Sequence, residues 1–556
     1  MRRSTIPVLL LALLSFFGGL GRGAITDTDE AFYAESAREM VESGDWLTPH
    51  FNYEPRFQKP ILYYWLTAAT FALTGPNEFA ARLWAAVFGV GLVLITTACG
   101  RRWFDETIGI LAGAITATSF GYFALARLSL PDLPLAFFIT LTIWAAFVAT
   151  LERERQPRNW LLVAAAAAAL GFLTKGPLGI IIPVLVIAPV LLIERRSFDL
   201  ELSDLVLAGL LFLAMAMPWY IAMWWRHGPA YLEGFFIGDN YERFATARFN
   251  DPRPFWFYVP VLAGGLLPWT ALTVVWLGPV WQAITRRRSV ATVDLRLLLW
   301  LVLPLIFFTL SIGKQPRYIL PALPPLALLL ASSIIERTRE WRSLDGSRVR
   351  PRPNLAVVIG TVLGGAFLIA VAVMLYRARI VFLNIPETAI LMVAAVSALG
   401  GVVVVMVSLT RVWRSAPGAL AFAAAVTFAV LPYATFTSPR SSAVAEMAGL
   451  VREARTGDEA IGTFRVFVRN LVFYTHLKHT DLIHDEHVFD WLSKNPRALM
   501  VMPRFEADRL ERERGLKMTR LAERLYFDEG GIRARMLMQP DPERDLQRVV
   551  LVRVGG

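Results

Sequence analysis

The stretch Thr5-Ile6-Pro7-Val8-Leu9-Leu10-Leu11-Ala12-Leu13-Leu14-Ser15-Phe16-Phe17-Gly18-Gly19-Leu20, followed by Gly21 to Thr26 and then Asp27-Thr28-Asp29-Glu30, decides how the chain is read. Met1-Arg2-Arg3 puts positive charge before the apolar run, and three carboxylates in four residues follow it. An apolar run of this kind ends up in lipid or in a signal peptide. Gly18 to Gly21 make a poor small-residue cleavage site and further apolar runs follow, so a retained first helix is expected.

Those further runs fill most of the chain. With 55% hydrophobic and 18% charged residues and a mean hydropathy of +0.49, a soluble fold could not hide so much apolar surface. Windows of about 20 apolar residues predict spans near 5–22, 79–99, 107–126, 133–150, 160–174, 177–193, 205–222, 255–278, 297–312, 318–335, 355–375, 388–409 and 418–436. The fold class is an α-helical polytopic membrane protein with about thirteen spans. The net charge of +11 is a signature of topology rather than of nucleic-acid binding. The single cysteine, Cys99, offers neither a disulfide nor a thiolate metal site.

With Met1 in the cytoplasm, Arg101-Arg102, Arg153 with Arg155 and Arg158, Arg195-Arg196, Arg286 to Arg288, the basic segment from Arg337 to Arg352, and Arg411 with Arg414 all fall on one side. That is the side on which Lys and Arg are retained. The opposite, extracytoplasmic side receives loop 23–78, loop 223–254, short turns near Asp132, Lys175 and Lys314, and everything after about 437. Residues 1–437 are expected to form the membrane part. Residues 438–556, where short apolar runs alternate with charged helical stretches, are expected to form a small soluble α/β domain. In the first outer loop, 29–40 and 61–74 read as amphipathic helices lying at the surface.

Asp29 and Glu30 sit just outside the first span, where a carboxylate cluster can hold a divalent cation or supply a base. It can equally cap a helix. Lys59 precedes Pro60 at the entrance to the second surface helix, the place of a snorkelling lysine or of an anion ligand. Lys175 and Lys314 occupy very short turns on the side that disfavours cations, so each calls for an anionic partner, and a lipid phosphate at the membrane surface is the economical one. Asp132, between Pro131 and Pro134, serves as an N-cap or joins Asp29 around substrate. Arg243 is one more cation in the second outer loop.

With these residues in place, the chain resembles the GT-C glycosyltransferases of the aminoarabinose transferase and dolichyl-phosphate-mannose protein mannosyltransferase-like group. The likeness rests on DTDEAFYAESAREMVESGDWLTPHFN, RFQKPILYYWL, SLPDLPLAFF, LTKGPLG, DNYERF with PFWFYVPVLAGGLLPW, and GKQPRYILPALPPLALL, in that order over about residues 1–335. It implies an outward-facing site that takes a sugar from a polyprenyl phosphate and passes it to a glycolipid such as lipid A, a protein or another glycan. It implies a catalytic set of Asp29, Glu30 and Asp132. Lys59, Arg243, Lys314, Tyr318, Tyr33 and Lys175 would form the donor-binding set. Any metal would fall to Asp29, Asp132, Gln58 and Asn240. Phe32, Gln58 and Asn240 stand where the lipid A transferases usually have Arg, Glu and His, which argues against a tightly held metal. A secondary transporter or lipid flippase is the competing reading; it should show internal repeats and mid-membrane charges, and the sequence shows neither. A receptor acting through its tail is a third.

Overall fold

The computed structural model describes residues 3–27, 29–152, 154–194, 200–246, 252–275, 292–339, 341–342, 348–349, 352–528 and 532–555. Thr28, Arg153, Arg195, Arg196, Arg248 and Arg286 to Arg288 lie outside them, as does part of the basic segment 337–352. The protein is a multi-pass membrane protein. Among the described residues eight helices are long and apolar enough to cross a membrane, nine if one bent pair counts as a single span, and Arg3–Phe17 and Leu178–Glu194 are shorter apolar helices.

Three expected spans depart from simple rods. The first helix runs only from Ile6 to Phe17, and Gly18-Gly19 ends it, Gly19 at a φ of +62°. The span expected at 107–126 is split into Glu106–Ala117 and Phe120–Ala126, bent by 55°. There the Thr118 and Ser119 hydroxyls donate back to the carbonyls of Ala114 and Ile115, both at 2.6 Å, and the freed Phe120 N–H donates to the Leu267 carbonyl at 2.9 Å. In the span expected at 255–278, the short helix Tyr258–Gly265 is followed by a break at Leu266 to Trp269, rich in turn residues, and then by the turn Thr270–Leu272; residues 276–278 lie outside the described residues.

Small residues let other helices close up. Gly365 of Leu355–Ala378 meets Gly401 of Glu387–Leu409, where a Cβ would lie 2.8 Å from the facing carbonyl oxygen. The same pair is tied by hydrogen bonds from Ser397 Oγ to Leu368 O (2.8 Å) and from Ser408 Oγ to Thr361 Oγ1 (2.9 Å).

The first loop carries the helices Asp29–Ser43 and Leu62–Thr74, close to the two amphipathic segments expected. Its anchor is Glu30, fully buried, against Arg82 of the helix Glu78–Trp103. Arg82 Nε and Nη2 donate to the two carboxylate oxygens at 2.8 and 3.2 Å, and its remaining N–H groups reach the carbonyls of Arg22, Gly23 and Ala24. Glu30 also accepts from the backbone N–H groups of Thr26 and Ser129, each at 3.0 Å.

The C-terminal segment forms a five-stranded sheet in the order Thr480–Leu482, Ala460–Phe464, Ala498–Pro503, Gln547–Val554, Met518–Tyr526; the first three are parallel and the last two join antiparallel. Ala443–Ala454 packs Val444, Met447, Ala448 and Val451 against Ile461, Leu499 and Leu551 of this sheet. The unit docks on the first loop: Asn52 exchanges hydrogen bonds with the His479 backbone, and Tyr474 Oη bridges Ile25 N and Glu78.

Two substitutions probe this frame. Arg82→Ala leaves Glu30 charged and buried, so it should destabilise the protein by about 3–5 kcal/mol, and the double variant Arg82→Met with Glu30→Gln should recover most of that loss in detergent thermal unfolding. At Gly176, whose φ is +73°, a Cβ would lie 2.4 Å from Phe235 Cζ. Gly176→Ala should therefore lower the unfolding temperature and displace the neighbouring segment 233–242.

Candidate functional site

Seven segments distant in sequence meet at one cavity of about 420 Å³. Asp29, Phe32 and Tyr33 come from the helix Asp29–Ser43, and Arg56, Gln58 and Lys59 from the loop before Leu62–Thr74. Asp132 starts the helix Asp132–Leu151 and Lys175 ends Pro157–Lys175. These are the helix ends where a negative and a positive side chain, respectively, complement the peptide dipoles. Asp239 and Arg243 lie one turn apart at the end of Glu233–Glu242, and Gln315, Arg317 and Tyr318 lie at the 3-10 turn Pro316–Ala322. Leu130 and Arg469 complete the wall.

The charged groups are wired in pairs. Asp239, buried, is shared by Lys59 and by Arg243, the latter at 2.7 Å. Lys175 donates to Asp132 at 2.6 Å and its ammonium lies 5.2 Å from the centroid of the Tyr318 ring. Arg317 bonds Asp29, and its Nε stands 3.6 Å from Asp132. Tyr33 stacks on Tyr64 with centroids 5.4 Å apart. Six cations therefore face three carboxylates, an excess of three positive charges in one cavity.

That excess shapes protonation. Burial raises the Asp29 carboxyl, but Arg317, Arg243 and Arg469 outweigh it and hold the group below its ordinary value, as a carboxylate. Burial, then Arg243, Lys175 and Arg56, push the Lys59 ammonium well below the usual lysine range, with Asp29 offsetting part of the effect.

Of the residues singled out from sequence, Asp29, Asp132, Lys59, Arg243, Tyr318, Tyr33, Lys175 and Gln58 line the cavity. Three do not. Glu30 is consumed by Arg82, Lys314 is buried with its ammonium on the Ser311 carbonyl, and Asn240 donates to the Phe235 carbonyl at 2.8 Å. The metal set Asp29, Asp132, Gln58 and Asn240 does not fit a cation, because both carboxylates already face guanidinium or ammonium groups and Asn240 points elsewhere. No cluster of three His, Cys, Asp or Glu suited to a metal occurs among the described residues.

Sequence reading passed over Arg317, Asp239, Arg56 and Arg469. The first three lie inside the quoted motifs, yet only the turn at 316 decides that Arg317 rather than Lys314 faces inward. Arg469 comes from the C-terminal segment, with no local signal.

A second cavity of about 500 Å³, nearly all apolar, runs between the segments 120–125, 260–267 and 319–323, and shares Gln315 and Arg317 with the charged one.

Residues 20–227 match the dolichyl-phosphate-mannose-protein mannosyltransferase family. Among curated proteins, an undecaprenyl phosphate-alpha-4-amino-4-deoxy-L-arabinose arabinosyl transferase of Pseudomonas fluorescens is 36% identical over 365 residues, 65% of this chain and 60% of that protein. One from Pseudomonas aeruginosa is 37% identical over 350 residues, 62% of each. The matched region thus spans about three fifths of these relatives' length. Among solved structures, ArnT from Cupriavidus metallidurans bound to undecaprenyl phosphate superposes with a TM-score of 0.74 at 22% identity, covering 99% of this chain and 97% of that one. The archaeal oligosaccharyltransferase AglB from Archaeoglobus fulgidus follows with a TM-score of 0.56 at 11% identity, covering 90% and 69%. Residues 20–227 are thus similar to the protein mannosyltransferase family, and the chain shares the GT-C fold of these solved structures.

Proposed function

We propose that the protein is a membrane glycosyltransferase that moves a sugar from a polyprenyl-phosphate donor to an envelope acceptor, a lipid A-like glycolipid, a protein or another glycan. The observation that carries this reading is the cavity with three surplus positive charges opening beside an apolar groove that shares Arg317 with it. A small soluble anion needs only the first; a phosphate on a long isoprenoid chain needs both. Undecaprenyl phosphate-linked aminoarabinose is the first donor to test, because the curated relatives are named for it.

We place the reaction on the extracytoplasmic face of the inner membrane, with the N-terminus cytoplasmic, residues 1–437 as the catalytic membrane part and 438–556 as an extracytoplasmic domain. The one-sided distribution of Lys and Arg in the loops supports this orientation. The cavity gathers the turns expected on the outer side: the start of Asp132–Leu151, the end of Pro157–Lys175 and the turn at 316.

In the mechanism that follows, an acceptor oxygen bonds to the anomeric carbon as the bond to the phosphate oxygen breaks, inverting that centre. The electron pair leaves on the polyprenyl phosphate, where Lys59, Arg243 and Tyr318 stabilise the developing charge. The acceptor's hydroxyl proton passes to Asp29, kept ionised by Arg317. Lys175 and Arg317 hold Asp132 in place beside it. No step requires a metal.

The test is transfer from undecaprenyl-phosphate aminoarabinose by the purified, reconstituted protein. Asp29→Asn should cut turnover by about 10²–10⁴-fold with donor binding retained. Lys59→Ala should weaken donor binding by roughly 10- to 100-fold. Full activity of both variants, with thermal unfolding unchanged, sinks the proposed site. A pH series adds a sign: Lys59 loses its proton below the ordinary lysine range, so donor affinity should decline as pH rises through that lowered value, and Lys59→Ala should abolish this alkaline decline.

A further inference from the structure

Each carboxylate of the cavity already has its cation: Asp239 serves Lys59 and Arg243, Asp29 serves Arg317, and Asp132 serves Lys175. Two cations are left over. Neither Arg56 nor Arg469 makes a salt bridge among the described residues, although the Arg469 charge acts on Asp29 through space and Arg56 Nε donates to the Tyr64 hydroxyl at 3.3 Å; both sit over the same ring, the Arg56 guanidinium 3.9 Å and the Arg469 guanidinium 5.0 Å from the Phe32 centroid. An aromatic face can hold each guanidinium, but it does not cancel two like charges brought together. Phe32, Arg56 and Arg469 are all half-buried at the wall of the cavity, and hence reachable by a ligand.

Arg469 is set in place with care. Asp27, two residues before Asp29, accepts hydrogen bonds from three successive backbone N–H groups, those of Val468 (3.0 Å), Arg469 (2.6 Å) and Asn470 (3.2 Å). Asn470 Nδ2 donates to the Ile25 carbonyl at 2.9 Å, and the His479 imidazole bonds the Val468 carbonyl at 3.1 Å. Just upstream, Arg465 and Phe467 adopt φ of +60° and +52°, a region that residues with a Cβ avoid unless their surroundings impose it. This turn of the C-terminal unit is thus held against the catalytic loop by its main chain, leaving the Arg469 side chain to project to the cavity.

We propose that Arg469 is a specificity-determining residue: with Arg56 it forms, over the Phe32 ring, a second anion subsite that holds a phosphate group of a glycolipid acceptor while the donor phosphate occupies the Lys59 and Arg243 end. The assignment to the acceptor rests on the functional reading above. Two phosphates, one at each end, would match the charge surplus, and a lipid-borne acceptor suits a cavity that opens onto an apolar groove. The C-terminal unit then contributes directly to acceptor choice.

The experiment measures binding of lipid A, of dephosphorylated lipid A and, in a separate arm, of undecaprenyl phosphate to the full-length protein in nanodiscs. The wild type should prefer the phosphorylated lipid A. Arg469→Gln, which keeps the backbone bonds to Asp27, should weaken that form alone by about tenfold or more, with Arg469→Lys intermediate and undecaprenyl phosphate affinity and thermal unfolding unchanged. Equal or absent binding of the two lipid A forms by the wild type overturns the subsite. So does an Arg469→Gln effect shared by both forms, or one as large on undecaprenyl phosphate. Failure of the wild type to bind undecaprenyl phosphate would instead sink the donor reading, while the comparison of the two lipid A forms still decides the subsite.

Discussion

The Arg82 guanidinium, buried between the first loop and the second long helix, is the contact on which the rest of the site depends. Five donors arranged in a plane meet both oxygens of Glu30 and three backbone carbonyls of the segment leaving the first helix. That segment has no regular structure of its own to satisfy those carbonyls, and Glu30 has no water to solvate it. Each half resolves the other's desolvation cost. Because Glu30 also takes the Ser129 N–H, the same contact fixes the turn that leads into Asp132. Asp29 and Asp132, far apart in sequence, thereby come to face one Arg317.

Around that frame the cavity follows a simple electrostatic rule. Every acid has a cation, and the cations outnumber the acids. The carboxylates keep the arginines and lysines from repelling one another in the resting protein, and the surplus leaves the cavity net positive. The same surplus accounts for the opposite shifts of two neighbours: the Asp29 carboxyl is held low and the Lys59 ammonium is driven down.

The C-terminal unit is more than an appendage to the membrane part. It reaches the first loop through Asn52, Tyr53, Glu78 and above all Asp27, whose carboxylate closes three backbone N–H groups of the 468–470 turn. Asp27 was legible in the sequence as one of a cluster of acids. Its work is that of a clamp between two parts of the chain, and Glu30, next but two, is an internal anchor, which leaves Asp29 alone of the three in the cavity.

The sequence by itself determined the membrane class, the two helices of the first loop, the sheet-forming tail and eight of the residues around the cavity, because these depend on local composition, on period and on motif. Apolar runs of span length have few alternatives, and charges at the ends of such runs cannot move far along the chain. Only the tertiary structure decided which charge faces which. Lys314 and Arg317 are three residues apart, and the turn at Pro316 buries one and presents the other. The broken helices at Thr118 and around Pro268 depend on hydrogen bonds to distant carbonyls and hydroxyls, such as Phe120 to Leu267 and Trp269 to Thr118. Arg469 enters the site from 440 residues beyond Asp29, through a contact that no local pattern encodes. Pairing of charges is a property of three-dimensional proximity, and sequence spacing carries it only within a helical turn.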